Sequence, residues 1–156
     1  MNNSVKVKKV ISNNRKALHD YDVEQKFEAG IVLFGTEVKS IRNGRVNLKD
    51  SYCLVEHGEL FVHNMHITPY EYGNIFNRDP VRVRKLLLHK KEILNLYSKV
   101  KRKGYAIIAL NLYFLGQKVK LGIALCRGKK LHDKRASLKE KEVKRDIDRA
   151  VKRFFR

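Results

Sequence analysis

Two ten-residue segments, YAIIALNLYF and KVKLGIALCR, constrain the fold more than any other feature of this chain. They are separated by Leu115-Gly116-Gln117, and glycine is a residue that tight turns favour. Each segment is far shorter than the ~20 apolar residues of a membrane-spanning helix. Each also contains β-branched residues, which favour strands. The two segments therefore predict an antiparallel hairpin in the core of the protein.

Other segments predict a further hairpin and two helices. SYCLV and ELFVH flank a turn at Glu56-His57-Gly58. A short helix is expected between a cap at Thr36 and a stop at Gly44. A longer helix is expected in RKLLLHKKEILNLYSKVKRKG, with Gly104 as its C-terminal cap.

The stretch KALHDYDVEQKFEAGIVLF, residues 16–34, predicts one long or bulged strand. The total is five or six strands with one short and one longer helix. This order and size predict a mainly β protein, an OB-fold-like antiparallel barrel with rim helices and a basic C-terminal tail. A sandwich or a split βαβ sheet would also fit the pattern. We place the barrel domain at residues 1–130, with a mobile arm at 1–15, and the tail at 131–156.

The net charge indicates the class of partner. The 156 residues carry a formal charge of +19, with a pI near 10.1. Such a surface suits nucleic acid, an acidic membrane surface or an acidic protein, and nucleic acid is the commonest partner. Neither a signal peptide nor a membrane span is expected. Cys53 and Cys126 lie in apolar segments, which fits a reduced, cytoplasmic compartment.

The C-terminal stretch GKKLHDKRASLKEKEVKRDIDRAVKRFFR has little apolar surface, and its basic residues outnumber the acidic ones by more than two to one. Ser137 and Glu140 have the spacing of a capping box, so a helix can begin at Ser137. Val143, Ile147, Ala150 and Phe154 would form one thin stripe. Three interpretations stay open: a solvated, partly disordered end, a helix packed on the barrel by this stripe, or an arm that becomes helical in a negatively charged groove.

Catalytic and metal-binding patterns are weak. His63-x-x-His66 falls at the end of a predicted strand and has no further ligands at metal spacing. Cys53 is expected to be buried, and the segment around Gly128 lacks the first glycine of a phosphate loop. We predict no catalytic residue, metal or cofactor, although sequence alone leaves a metal-free ribonuclease open.

The first predicted strand combines basic and aromatic residues: Arg15, Lys16, His19, Tyr21, Lys26 and Phe27. Barrels of this class stack bases on such strand faces and contact phosphates there. Tyr21 and Phe27 can equally be core residues. A carboxylate in this stretch, such as Glu28, would contact RNA only by accepting a hydrogen bond, which gives specificity and not affinity.

Six stretches in order along the chain carry a resemblance to a known family: NRKALHDY, FEAGIVLFGTEVKSIRNGRVNLKDSY, NRDPVRVRKLLLHKKEI, GYAIIALNLYF, KVKLGIA and GKKLHDKR. Together they cover nearly the whole chain, and the sequence resembles the SmpB family, the SsrA-binding proteins of bacterial trans-translation. The resemblance implies an OB-fold barrel that binds the tRNA-like part of transfer-messenger RNA (tmRNA) and delivers that RNA to stalled ribosomes without catalysis. It implies tmRNA and the ribosome as partners, and we expect a monomer that binds no membrane.

The resemblance also implies site residues. Those expected to contact RNA are Asn14, Arg15, Lys16, His19, Glu28, Ala29, Gly30, Leu87 and Lys118. Those expected at the base of a ribosome-binding tail are Gly128, Lys129, Lys130, His132, Asp133, Lys134 and Arg135. The tail is expected to be disordered in the free protein and helical on the ribosome, where it enters the decoding centre and the empty mRNA channel.

Three other classes fit the charge and size. A structural ribosomal protein would be bound to all ribosomes in a fixed ratio, whereas an adaptor would follow stalling. A small nuclease would cleave RNA and lose this activity when one histidine is replaced. Membrane attachment through the tail is the weakest alternative, because acidic residues interrupt the basic face.

Overall fold

The chain forms a barrel of antiparallel strands with helices at its rim. In the computed structural model, residues 6–102, 104–129 and 131–154 are described. The strands are β1 (Lys8–Asn13), β2 (Tyr21–Ile31), β3 (Val46–Asn47), β4 (Tyr52–Glu56), β5 (Glu59–His63), β6 (His66–Ile67), β7 (Arg84–Leu87), β8 (Tyr105–Leu115) and β9 (Lys118–Gly128). The helices are α1 (Arg15–Asp20), α2 (Gly35–Arg42), α3 (Lys90–Val100) and α4 (Leu131–Phe154), with a 3₁₀ turn at Asn74–Phe76.

The sheet closes because β8 and β9 pair with each other as well as with other strands. The main sheet has seven strands in the order β1-β8-β4-β5-β7-β2-β9, and the additional pairing of β8 with β9 completes the ring. β1 and β4 both pair with β8, at different segments along it. β3 and β6 form a separate two-stranded sheet. The predicted OB-like, mainly β architecture is confirmed, with more strands than the five or six expected.

Both predicted hairpins are present. In the β4–β5 hairpin the two-residue turn has positive φ at His57 (51°) and at Gly58 (77°). Positive φ at both central residues defines the type I′ turn, whose twist matches that of the paired strands. β8 and β9 pair over nearly their whole lengths around Gly116, which also has a positive φ of 63°.

The N-terminal half of the chain differs from prediction in two places. The mobile arm expected at residues 1–15 includes β1, which pairs with β8, while residues 1–5 lie outside the described part of the chain. The strand predicted from Lys16 is helical up to Asp20. The helix forms there because the Asn14 side chain accepts a hydrogen bond from the Ala17 N–H at 3.2 Å and so caps it.

The longer helix begins later in the chain than predicted. Arg84–Leu87 forms β7, and helix α3 begins only at Lys90. In β7, Arg84 and Leu86 are buried while Leu87 is exposed, a period of two that defines a strand. The run of three leucines obscured this period because it is apolar on both faces.

Two apolar clusters stabilise the barrel. The larger one fills its interior with side chains that include Leu60, Leu86 and Leu121, and Phe27 packs against it, as expected of a core residue. The smaller one lies where Ala17 of α1 packs on β8 and β9, and Tyr21 packs against it. The larger cluster thus anchors the C-terminal end of β2, and the smaller cluster with α1 anchors its N-terminal end.

Cys53 and Cys126 are free and buried, as expected. Burial raises the pKa of the Cys53 thiol well above its usual range. Burial and the nearby charge of Asp22 raise the pKa of Cys126 to about 11. Neither thiol is therefore poised as a nucleophile.

A buried ion cluster connects α2 to β7. Arg84 is fully buried, and its Nε donates to the Glu37 carboxylate at 2.6 Å. The remaining guanidinium N–H groups of Arg84 donate to the carbonyls of Met65, Arg82 and Pro80. Burial opposes ionisation of Glu37, but hydrogen bonds from Arg82, the Phe34 N–H and Arg84 hold its pKa below the usual value. Both groups are therefore charged and hydrogen-bonded in the folded protein.

Helix α4 is the longest helix of the protein's described part. None of the helices there is long and apolar enough to cross a membrane.

Candidate RNA-binding face

Cross-strand register brings several predicted RNA contacts onto one outer face of the barrel. Gly30 in β2 is paired with Leu87 in β7 on one side and with Lys120 in β9 on the other. Lys120 is in turn paired with Tyr113 in β8. Paired residues point to the same face of a sheet, and residues two apart along a strand share that face. Glu28 and Lys118 therefore join this row, and we call the six residues the outer face.

The outer face holds a carboxylate among cations. The Tyr113 hydroxyl donates a short hydrogen bond to the Glu28 carboxylate. Burial, this hydrogen bond and the charge of Glu28 all raise the pKa of Tyr113, so the phenol stays protonated and donates. The Lys8 Nζ lies 4.2 Å from the centre of the Tyr113 ring and adds a cation beside the pair. Glu28 is thus held as an oriented hydrogen-bond acceptor.

Leu87 supplies apolar surface at the same place. Its side chain is 53% exposed, although the neighbouring Leu86 is buried in the core. A Cβ on Gly30 would lie 3.2 Å from the Leu87 Cβ, so glycine lets Leu87 pack closely over β2. Exposed aliphatic surface beside lysines suits contact with a base or a ribose.

Ala29 has a different position from its neighbours. It is fully buried and belongs to the interior core cluster. Its backbone lies at the outer face, but its side chain points the other way. The resemblance implied an RNA contact for Ala29, and in the structure its side chain packs beneath that face.

Asn14 is also buried, at 5% exposure. Its Nδ2 donates to the carbonyls of Leu48 at 3.1 Å and Ala109 at 2.9 Å, and its Oδ1 caps α1. These contacts engage both ends of the amide. The structure therefore gives Asn14 a role in attaching α1 to the barrel, and the sequence could not distinguish this from a surface contact.

Arg15, Lys16 and His19 lie on α1, at the far end of β2 from the outer face. The Lys16 Nζ is 3.0 Å from Asp50, and this pairing raises the pKa of Lys16. His19 Nδ1 lies 3.0 Å from Asp20. The separation along β2 from Tyr21 to Gly30 is about 30 Å at about 3.3 Å per residue. The predicted contacts therefore form two patches and not one.

The base of the tail lies at the same end of β2 as Arg15, Lys16 and His19, which we call the α1 patch. Gly128 pairs with Tyr21, and the Lys129 N–H donates to the Asp20 carbonyl at 3.0 Å. Lys130 lies outside the described residues. The other predicted tail residues, His132, Asp133, Lys134 and Arg135, lie in the first turns of α4.

Helix α4 begins at Leu131, six residues before the predicted start at Ser137. Along the described side chains of its apolar stripe, Val143 is 51% exposed and Ile147 is 57% exposed. Ala150 is exposed as well. The stripe is therefore not packed on the barrel at these positions, which leaves it available to a partner.

Sequence reasoning missed Tyr113, Lys120 and Lys8. Two signals were present: the alternation in KVK places Lys118 and Lys120 on one face, and the alternation in NLYF places Tyr113 opposite the core. The proximity of Lys8 depends on the pairing of β1 with β8, which no local pattern indicates.

Among the described residues, no group of three or more His, Cys, Asp or Glu could hold a metal ion.

Comparison with known proteins identifies the family. The family model described as "SmpB protein" matches residues 11–153. The SsrA-binding protein of Clostridium beijerinckii is 61% identical over 142 residues, covering 91% of each chain. That of Listeria welshimeri is 58% identical over 144 residues, covering 92% of this chain and 94% of the relative.

A solved structure is similar as well. One chain in "tmRNA-SmpB: a journey to the center of the bacterial ribosome" superposes with a TM-score of 0.66 at 47% identity, covering 77% of this chain and 85% of that one. The family model spans most of the chain, and the relatives match over nearly their full lengths. The chain therefore belongs to the SmpB protein family.

Proposed function

We propose that this protein is a tmRNA-binding adaptor that brings tmRNA to stalled ribosomes in trans-translation. The observation that carries the proposal is the outer face, where an oriented carboxylate, an exposed leucine and lysines meet in a chain of charge +19. Its relatives are named SsrA-binding proteins. The outer face supplies acceptor, apolar and cationic groups together, which is what recognition of a folded RNA requires.

The two patches suggest a division of labour. The outer face would bind the tRNA-like part of tmRNA, and the α1 patch with the tail would contact the ribosome. The tail would be disordered in the free protein and become helical in the decoding centre and the empty mRNA channel. RNA walls would supply the charge partner that its basic residues need. The proposed boundary between the barrel domain and the tail, at residues 130 and 131, rests on this division of labour.

Replacing Leu87 by Asp is expected to weaken binding to the tRNA-like part of tmRNA by about tenfold or more, because it puts a carboxylate beside Glu28 and repels phosphate. A filter-binding titration at fixed salt measures this. The matched control is Leu94→Asp, which changes a leucine that is 64% exposed on α3. Equal loss in both variants would show that the effect is general charge and not the outer face.

RNA affinity is also expected to fall steeply with salt. With several phosphates neutralised, the association constant should drop by at least about 100-fold between about 50 and 200 mM salt. Titrations across this range give the slope directly. A flat dependence would contradict the electrostatic part of the proposal.

The decisive experiment is to crosslink the protein in its own cells and sequence the attached RNA. Enrichment of one small tRNA-like RNA, with weaker signal at the ribosomal decoding region, would support a cytoplasmic adaptor. Uniform ribosomal RNA would favour a structural ribosomal protein instead.

We propose that the protein is not an enzyme, and RNA cleavage that is lost on replacing one histidine would refute this.

A further inference from the structure

A concave site lies between α2 and the segment Tyr70–Arg78, which we call the aromatic loop. Its cavity is about 360 Å³. Its lining is aromatic, basic or small: Phe34, Gly35, Thr36, Lys39, Tyr70, Tyr72, Gly73, Phe76 and Arg78. The carboxylates of Glu71 and Asp79 do not line it. A cavity of this kind suits an aromatic, negatively charged ligand.

The aromatic rings of this site are accessible and already associate with cations. Tyr72 is 75% exposed and Phe76 is 69% exposed. The Arg78 guanidinium lies 4.1 Å from the Phe34 ring centre, and the Lys39 Nζ lies 5.3 Å from that of Tyr70. Rings for stacking and cations for phosphates are the two components of single-stranded nucleic acid sites.

The aromatic loop has a defined internal structure. The Asn77 side chain bridges back to Tyr70, accepting from its N–H at 3.0 Å and donating to its carbonyl at 2.8 Å. A Cβ on Gly73 would lie 2.4 Å from the Asn77 Oδ1, so glycine is needed for this bridge. The Thr36 hydroxyl donates to the Phe76 carbonyl at 3.2 Å and attaches the loop to α2.

The site lies close to the outer face along the chain. Gly30 is only four residues from Phe34, and the Arg82 guanidinium lies 4.6 Å from the Phe34 ring centre. Arg82 also donates to the Val32 carbonyl at 3.3 Å. Glu37, the acidic residue of the first turn of α2, is hydrogen-bonded to Arg82 and Arg84 and so presents no uncompensated charge here. One RNA molecule on the outer face can therefore extend into the aromatic loop site.

We propose that the aromatic loop site binds an unpaired nucleotide of the same RNA that occupies the outer face, the tRNA-like part of tmRNA. The base stacks on Tyr72 and Phe76, while Lys39 and Arg78 contact its phosphates. This inference rests on the proposed function. It adds a base-stacking site that the outer face lacks.

The test uses the full-length protein with two alanines, Tyr72→Ala and Phe76→Ala. We expect affinity for the isolated tRNA-like part of tmRNA to fall about tenfold, because stacking on aromatic side chains contributes strongly to each bound base. Ultraviolet crosslinking of the wild-type complex should attach a nucleotide to Tyr72 or Phe76, as mass spectrometry would show. Lys39→Gln should reduce the slope of log affinity against log salt by about one.

The matched control is Ile75→Ala, since Ile75 is 88% exposed in the same loop and does not line the cavity. Thermal unfolding of each variant checks that the barrel is intact. Wild-type affinity in the double variant, or an equal loss in Ile75→Ala, would overturn the inference while leaving the proposed function standing. Failure of the wild-type protein to bind the RNA would overturn both. Loss of ribosome binding alone would assign the site to ribosomal RNA and refute our assignment.

Discussion

Ending the chain before Lys134 is expected to abolish rescue of stalled ribosomes while leaving affinity for the tRNA-like part of tmRNA within about threefold. The affinity survives because the outer face lies at the opposite end of β2 from the tail, farther than the Debye length of about 8 Å over which exposed charges interact at physiological salt. Rescue is lost because nearly all of α4, including its exposed stripe, is removed. Filter binding and a reconstituted trans-translation assay measure the two quantities.

A control separates helix from charge. A tail of equal length and net charge, built from Gly, Ser and Lys, keeps the electrostatic attraction but cannot present the stripe of Val143 and Ile147. We expect it to bind RNA normally and to remain inactive in rescue. The division of labour would be wrong if truncation weakened RNA binding as much as Leu87→Asp does.

Replacing Arg84 by Met is expected to destabilise the protein by about 3–5 kcal/mol, because it leaves the buried Glu37 carboxylate without the fully buried one of its two guanidinium partners. Urea unfolding followed by circular dichroism measures the loss. The matched control is Lys85→Met, which removes an exposed pair with Glu59 at 2.9 Å. An exposed pair contributes about 0–1 kcal/mol, so the control should change little.

The pH dependence of stability offers a check on the same cluster. The pKa of Glu37 is below its ordinary value of 4.5, so its ionised form stabilises the folded state above that pH. This stabilisation is lost as the pH falls through the lowered pKa. Glu37→Gln should remove that part of the acid dependence.

For the Arg84 prediction, equal destabilisation by Arg84→Met and Lys85→Met would show that the cluster contributes no more than a surface pair.

Local patterns predicted the hairpins and the short helix because the deciding interactions are close in sequence. The β4–β5 turn is fixed by His57 and Gly58, and α2 ends at Arg42, just before the predicted stop at Gly44. The predicted cap at Thr36 was wrong, because α2 begins at Gly35 with Phe34 as its N-cap. Pairings between distant segments were not predictable in this way. β1 became an arm in the prediction because its partner, β8, is about a hundred residues away and its own residues are mostly polar.

The identities of several candidate-site residues could be predicted, but their spatial arrangement could not. The resemblance supplied Glu28, Leu87 and Lys118, yet only the register of β7, β2 and β9 shows that they share one face. Register also places Tyr113 beside Glu28. Asn14 illustrates the opposite limit. It is a polar residue in a basic stretch, yet it is internal because its side chain donates to the carbonyls of Leu48 and Ala109 in distant segments and accepts from the nearby Ala17 N–H.

The pairing of β2 with β9 has a mechanical consequence. The two strands are paired from Gly30 and Lys120 at the outer face to Tyr21 and Gly128 at the root of the tail, and α1 packs across the latter end. A two-stranded ribbon within a closed barrel resists bending, so an RNA bound at the outer face, as proposed, would be held at a constant spacing from the tail root. When the RNA moves on the ribosome, the root of the tail must be displaced by the same amount, and only segments beyond Gly128 can absorb a difference.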